Sequence, residues 1–310
     1  MSLSATSGSV AEKPTLFERF TKAVPIIVLT PSIIASFVYV FVFAGWTFYI
    51  SLSNSTLLPT YDLVGFENYA SLWANRRWGV AYTNLFVFST FYVVLAMIVG
   101  LGLAILIDQR VRGESMWRTI FLYPLAVSFI VTGTVWSWLY NPTNGFEFLV
   151  RSMGWTDFHF ALTTDRKNAI YAIVATGIWQ SSGFAMALFL AGLRSVDGDI
   201  IKAAQIDGAS TFRTYRKVIL PTITPIFIAV AVVLLQFAIK TFDLAVSLTN
   251  SGPGISTTFP ATYVYDLMFQ RGQIGEGAAA AVMILLALAA VLVPYSLYLV
   301  WRRRKESGHG

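Results

Sequence analysis

Trp179, Gln180, Ser181 and Phe184 stand inside one long apolar block of the sequence, and Gln236, Lys240, Thr241 and Asp243 inside another. Amides and hydroxyls beside an aromatic face suit a polyhydroxylated solute such as a sugar. A few placed polar groups fix its hydroxyls, and the ring covers its apolar face. Polar side chains within an apolar span are costly, so each is a candidate site facing a bundle interior. Lys240 and Asp243 are three residues apart, a spacing that lets them pair on one helix face. The same residues have a structural reading: interhelical hydrogen bonds for the first group, an ion pair or snorkelling charge for Lys240 and Asp243. The residues alone leave both readings open.

A third group lies between those blocks: Lys202-Ala203-Ala204-Gln205-Ile206-Asp207-Gly208-Ala209, closed by Leu220-Pro221. Groups for covalent or acid–base catalysis are scarce. The absence of cysteine excludes disulfides, thiolate nucleophiles and cysteine-based metal sites. The histidines are His159 in a loop and His309 in the tail. No G-x-x-x-x-G-K-[ST] phosphate loop is present, so any ATP and Mg used belong to another chain. The expectation is a non-enzyme with no catalytic residue, no metal and no cofactor of its own.

These residues need elements to hold them. The 310 residues are 56% hydrophobic and 12% charged, with mean hydropathy +0.64; soluble domains are about 25% charged. Six apolar blocks, roughly 24–51, 83–107, 119–140, 169–193, 222–248 and 278–301, each reach the about 20 residues that a membrane-spanning helix needs. The reading is an all-α polytopic membrane protein of six transmembrane helices. A polar tail at 1–23, without a cleavable signal and with residues 1–12 disordered, precedes a transmembrane domain at 24–301, and a tail at 302–310 follows. Pro31, Pro124 and Pro294 fall inside spans as kink positions. Gly100, Gly102 and the small-residue run from Gly275 mark close helix approach.

The net charge of +6 is explained by topology rather than by nucleic acid. Fifteen of the 22 basic residues fall on one side: Lys13, Arg19, Lys22, Arg110, Arg112, Arg118, Arg194, Lys202, Arg213, Arg216, Lys217, Arg302, Arg303, Arg304 and Lys305. Arg76, Arg77, Arg151, Arg166, Lys167 and Arg271 fall on the other, and Lys240 lies within a span. The positive-inside rule then puts both termini, and the long loop 194–221, in the cytoplasm. In that loop Asp199 is expected to cap a helix over 200–206, and Gly208 to end it in the left-handed conformation. Ser210 or Thr211 is expected to cap a second helix with Phe212, Tyr215 and Ile219 on one face, stopped by Pro221. Taken alone, such a hairpin equally suits an amphipathic element lying on the lipid surface.

The loop resembles the E-A-A-x-x-D-G-A element of ABC-importer permeases. Ala203, Ala204, Asp207, Gly208, Ala209, Leu220 and Pro221 match, Tyr215 stands at an aromatic position, and Lys202 replaces the leading Glu. Leu63 to Tyr69, Arg118 to Pro124, Trp136 to Leu139, Phe242-Asp243-Leu244, Gly252-Pro253 and Tyr263-Val264-Tyr265 resemble the maltose-type, carbohydrate branch. The resemblance implies a type I importer permease fold and a loop that couples to a separate ATP-binding cassette ATPase dimer. It also implies a second permease subunit and a periplasmic or lipid-anchored sugar-binding protein. It favours Ser181, Phe184 and Thr241 as solute contacts by position. The resemblance also implies a bacterial inner-membrane location. The nearest alternative is an ABC-importer permease for a non-sugar solute; a stand-alone secondary transporter would want an ion relay and an internal repeat, and neither is visible.

Overall fold

The computed structural model describes residues 16–109, 111–160 and 162–307. Residues 1–15 and 308–310, and with them most of the expected N-terminal tail and the last three residues of the C-terminal one, lie outside that set. The described residues are helical apart from loops and one isolated antiparallel bridge, Ser53 to Leu63. Chain contacts divide the molecule into two compact units, 1–49 and 50–310. The first unit is helix α1 (Leu16–Ser51), whose last two residues belong to the second. It starts well before residue 24 and runs through Pro31 without a break. Val28, Ile33, Phe37, Phe41 and Phe43 are exposed around it. A helix apolar on all sides belongs in lipid rather than water.

The second unit opens with the short helix α2 (Glu67–Ala74) and the long α3 (Arg76–Asp108), capped by Asn75, whose Oδ1 accepts from the Arg77 N–H at 2.9 Å. The pair α4 (Glu114–Ala126) and α5 (Phe129–Leu139) follows, then α6 (Phe146–Ser152) and α7 (Ala169–Arg194). The loop segment holds α8 (Gly198–Ile206), α9 (Thr211–Thr214), a π-helical turn Tyr215–Ile219 and α10 (Leu220–Thr222). Next come α11 (Thr224–Ile239), α12 (Asp243–Thr249), α13 (Pro260–Tyr265), a second π turn and α14 (Ile274–Ser307). The core lies along the contact of α3 with α7, where Phe88, Tyr92, Ala96 and Ala104 meet Ile173, Ala185, Met186 and Phe189.

Four described helices, within α1, α3, α7 and α14, are long and apolar enough to cross a membrane; two bent pairs raise the number to six. Both bent pairs revise the expected spans. The block 119–140 is not one kinked helix. It breaks at Val127–Ser128 with a bend of 96°, three residues past Pro124. The block 222–248 bends by 67° at Ile223 and breaks again at 240–242. Pro221 does not stop the loop helix. Its ring would crowd the carbonyl four residues back, but the preceding π turn is wider, with the Leu220 N–H reaching Tyr215 O, and the helix passes through to Thr222.

Candidate functional site

Broken helices leave backbone groups that need partners, and the membrane tolerates them only inside the protein or beside a cavity. The break between α11 and α12 has such a cavity, about 240 Å³, walled by Phe88 and Tyr92 of α3, Gly177 of α7, Phe129 of α5 and Phe237 of α11. Lys240, Thr241 and Asp243 line it from the break itself. Lys240 is the cap just past the end of α11 and Asp243 opens α12, so the two do not share a helix face. Both are exposed, and no salt bridge joins them, so the ion-pair reading does not hold. Thr241 is half-buried and donates its hydroxyl to the Phe237 carbonyl at 3.1 Å.

The helix α7 group behaves differently. Ser181 is fully buried and accepts from the Tyr92 hydroxyl at 2.7 Å. Gln180 is buried, and its Nε2 donates at 2.8 Å to the carbonyl of Val127, the residue at the α4–α5 break. Its Oε1 has no hydrogen-bond partner among the described residues. Ser181 thus stands behind the cavity wall, joined to Tyr92, while Gln180 services the break. Trp179 is 43% exposed with its ring 5.5 Å from Trp136, Phe184 packs on Phe237 at 5.8 Å, and Gln236 is half-buried. The cavity's aromatic walls escaped the sequence reading, because Phe88 and Tyr92 look like any apolar helix residue. The one available signal was Gly177: a Cβ there would sit 3.1 Å from the Tyr92 ring, so glycine leaves room for the wall.

The loop segment forms a second candidate surface. Asp197, not Asp199, caps α8, its Oδ1 accepting from the Asp199 N–H at 2.9 Å. Asp199 falls in the first turn, where a negative charge suits the helix N-terminus, and it accepts from Lys202 at 2.9 Å. Gly208 takes φ +76°, Ala209 N–H bonds to Ala204 O and Gly208 N–H to Gln205 O, the doubly bonded glycine end of a helix. Ser210 caps α9. Lys202, Ala203, Asp207, Gly208 and Pro221 are exposed, while Ala204, Ala209, Tyr215 and Leu220 are half-buried. The face expected for Phe212, Tyr215 and Ile219 is split: Ile219 is buried, Tyr215 turns inward, and Phe212 points out at 75% exposure. The short α9 and the wider π turn break the 3.6-residue period that put them together.

Residues 153–306 match the family model described as the binding-protein-dependent transport system inner membrane component. A probable ABC transporter permease of Pyrococcus horikoshii is 36% identical, covering 91% of this chain and 96% of that one. The chain belongs to this family of ABC-importer permeases. A xylose/arabinose import permease of Haloferax volcanii is 32% identical over 82% of this chain and 81% of its own length. A trehalose/maltose transport permease of Thermococcus litoralis is 28% identical over 87% and 91%. A bacterial ABC transporter involved in import of the polysaccharide alginate shares the fold, with TM-score 0.75 at 20% identity, covering 93% of this chain and 98% of that chain.

At the far end of the permease from the loop, Asp266 is held by Arg77 at 2.7 Å and Arg271 at 2.8 Å. Both guanidinium carbons lie over the Tyr263 ring, at 5.6 and 5.9 Å. Burial, with the Glu276 charge adding to it, pushes the Tyr263 phenol above its ordinary pKa. This clamp joins the start of α3 to the turn after α13. Sequence reading missed it because its members lie about 190 residues apart.

Proposed function

We propose that this permease forms half of the pathway of a carbohydrate importer. A second permease completes the pathway, a periplasmic or lipid-anchored sugar-binding protein delivers the solute, and residues 194–221 seat on a separate ATP-binding cassette ATPase dimer that binds the ATP and Mg. Both termini and the loop face the cytoplasm, the orientation that the basic-residue asymmetry supports. The observation that carries the reading is the cavity at the α11–α12 break. It offers an ammonium donor, a carboxylate acceptor and a hydroxyl within aromatic walls, and the two charges are not spent on each other. The pentose and disaccharide permeases among the relatives support the solute class. The loop supports coupling: Ile200, Ile206 and Phe212 are 48%, 86% and 75% exposed around the glycine turn. Exposed apolar side chains outside the lipid-spanning helices suit a protein or a membrane contact, and the match of the loop to the ABC-importer element favours the ATPase.

ATP-driven closure of the ATPase pair is the differential interaction that biases the permease between two states. The test is ATP-dependent uptake of labelled sugars into vesicles holding the whole complex, compared between native permease and Lys240→Met or Asp243→Asn. Uptake of a sugar, with its apparent affinity weakened about tenfold or more by each change, is the expected outcome; one lost hydrogen bond to a charged group of about 1.5–3 kcal/mol gives that factor. Native-level uptake in both variants removes the cavity from the pathway. Uptake of a non-sugar solute alone removes the substrate class.

A further inference from the structure

A polar chain runs from the loop segment along the adjoining helix ends and is used by neither the cavity nor the exposed apolar loop face. The Tyr215 hydroxyl donates to Asp108 Oδ2 at 2.7 Å, and Gln109 Nε2 donates to the same hydroxyl at 3.1 Å. The other Asp108 oxygen, Oδ1, faces Arg194 Nε at 3.7 Å. Arg194 Nη1 reaches Glu114 Oε1 at 2.8 Å, and Arg118 stands 3.6 Å from that same oxygen. Asp108 ends α3, Glu114 starts α4, and Arg194 ends α7. One phenol on the loop segment is thereby joined to the ends of three core helices.

Three features set this chain apart from ordinary surface ion pairs. First, Tyr215 is the described residue of 196–222 whose side chain hydrogen-bonds outside that segment; the other side-chain bonds there, from Asp197, Lys202, Ser210, Thr214 and Thr222, stay local. The remaining hold on the core is apolar, through Ile201, Ile219 and Leu220, and apolar contact is non-directional. Second, Tyr215 opens the π turn, a rare distortion that concentrates at functional positions. Third, Asp108 divides its two oxygens between the loop and α7, so displacement of the phenol alters the ion pairing of Arg194 directly.

We propose that Tyr215, Asp108 and Arg194 are positioning residues that pass movement of the loop segment into α3, α7 and α4. This rests on the loop being the ATPase contact. Apolar knobs let the segment slide; the phenol–carboxylate–guanidinium chain fixes its direction of pull. Glu114 carries that pull to α4, whose far end is the 96° break at Val127, itself held by Gln180 of α7.

The experiment measures solute carried per ATP hydrolysed by the complete complex in vesicles, for Tyr215→Phe and Asp108→Asn. The expected result is unchanged co-purification of the ATPase, continuing hydrolysis and a fall of about fivefold or more in solute per ATP, the lower end of coupling between distant sites. Asp108→Glu restores part of it, and the double variant is no worse than the poorer single variant, because both cut one chain. Tyr215→Phe removes a single hydroxyl and so stays informative if Asp108→Asn assembles poorly. Native solute per ATP in Tyr215→Phe overturns the proposal, as does a parallel fall of hydrolysis and transport with loss of assembly. Gly208→Val tests the underlying reading separately: ATPase retained at native level on that variant refutes the loop contact, whatever Tyr215→Phe shows.

Discussion

Gly100→Ala tests whether the α3–α7 contact is the mechanical core of the permease. A Cβ at Gly100 would lie 2.6 Å from the Ala185 Cβ, 2.9 Å from the Met186 nitrogen and 3.0 Å from the Ser182 carbonyl oxygen. Two of these are backbone atoms, so no rotamer change relieves the clash. Ordinary carbon contacts are about 3.5–4.0 Å, so the helices must part by something near 1 Å. A gap of that size forfeits about a quarter to a half of each dispersion contact, and a large buried side chain makes some 40–60 contacts of about 0.1–0.2 kcal/mol. Met186 and Phe189 are the large fully buried side chains on that face of α7. At the lower fraction each loses about 1–3 kcal/mol, and replacing a helical glycine by alanine returns about 1 kcal/mol. The net loss is about 1–5 kcal/mol, centred near 3. Gly102→Ala is the internal control, because nothing lies within 4 Å of a Cβ there, and it is expected to be neutral or slightly stabilising. Thermal melting of the purified permease in detergent reads both. A Gly100→Ala melting point equal to that of Gly102→Ala refutes the reasoning.

Gln180→Leu removes the partner of the Val127 carbonyl at the α4–α5 break. Leaving that carbonyl unpaired costs about 1–3 kcal/mol, and losing the unpartnered Oε1 returns part of it; faster hydrogen exchange at residues 128–131 with a lower melting point is the expected signature, and unchanged exchange counts against it. Lys202→Glu breaks an exposed pair with Asp199 whose side chains are 72% and 84% accessible. Such pairs contribute little to folding, so melting stays as in the native protein while co-purification of the ATPase falls. Native ATPase retention places Lys202 outside the contact.

Much of the architecture was readable in the sequence because lipid imposes a length on every span. The blocks at 83–107, 169–193 and 278–301 each fall within one helix, and Gly208 could be assigned its left-handed turn from chemistry alone. The breaks were not readable. Val127–Ser128 and 240–242 sit in apolar runs, and what stabilises them is tertiary: an amide from α7 in one case, an aromatic-walled cavity in the other. The cap on α8 was misread for a local reason. Asp197 and Asp199 are both good caps, and the choice depends on where Ser195 and Val196 leave α7. Lys240 and Asp243 were paired by their spacing, which holds only inside a continuous helix. Asp108, Arg194 and Tyr215 come from three elements, and no local pattern brings them together.

The internal bonds also rank the polar residues of the proposed pathway. A buried group already hydrogen-bonded must give that bond up before it can hold a solute, at a cost of about 1–3 kcal/mol when its partner is left stranded. Ser181 is engaged with Tyr92, and the Gln180 amide nitrogen with Val127. Releasing either one loosens the cavity wall or the α4–α5 break as well. Lys240 and Asp243 carry no such debt: they face the cavity and form no ion pair with each other or with another described residue. Their presence inside a span is costly unless water or solute satisfies them. The helix break puts them where either can. The polar groups of α7 therefore support the shape of the cavity, while the charges at the α11–α12 break are the ones that the proposed reading leaves for a solute.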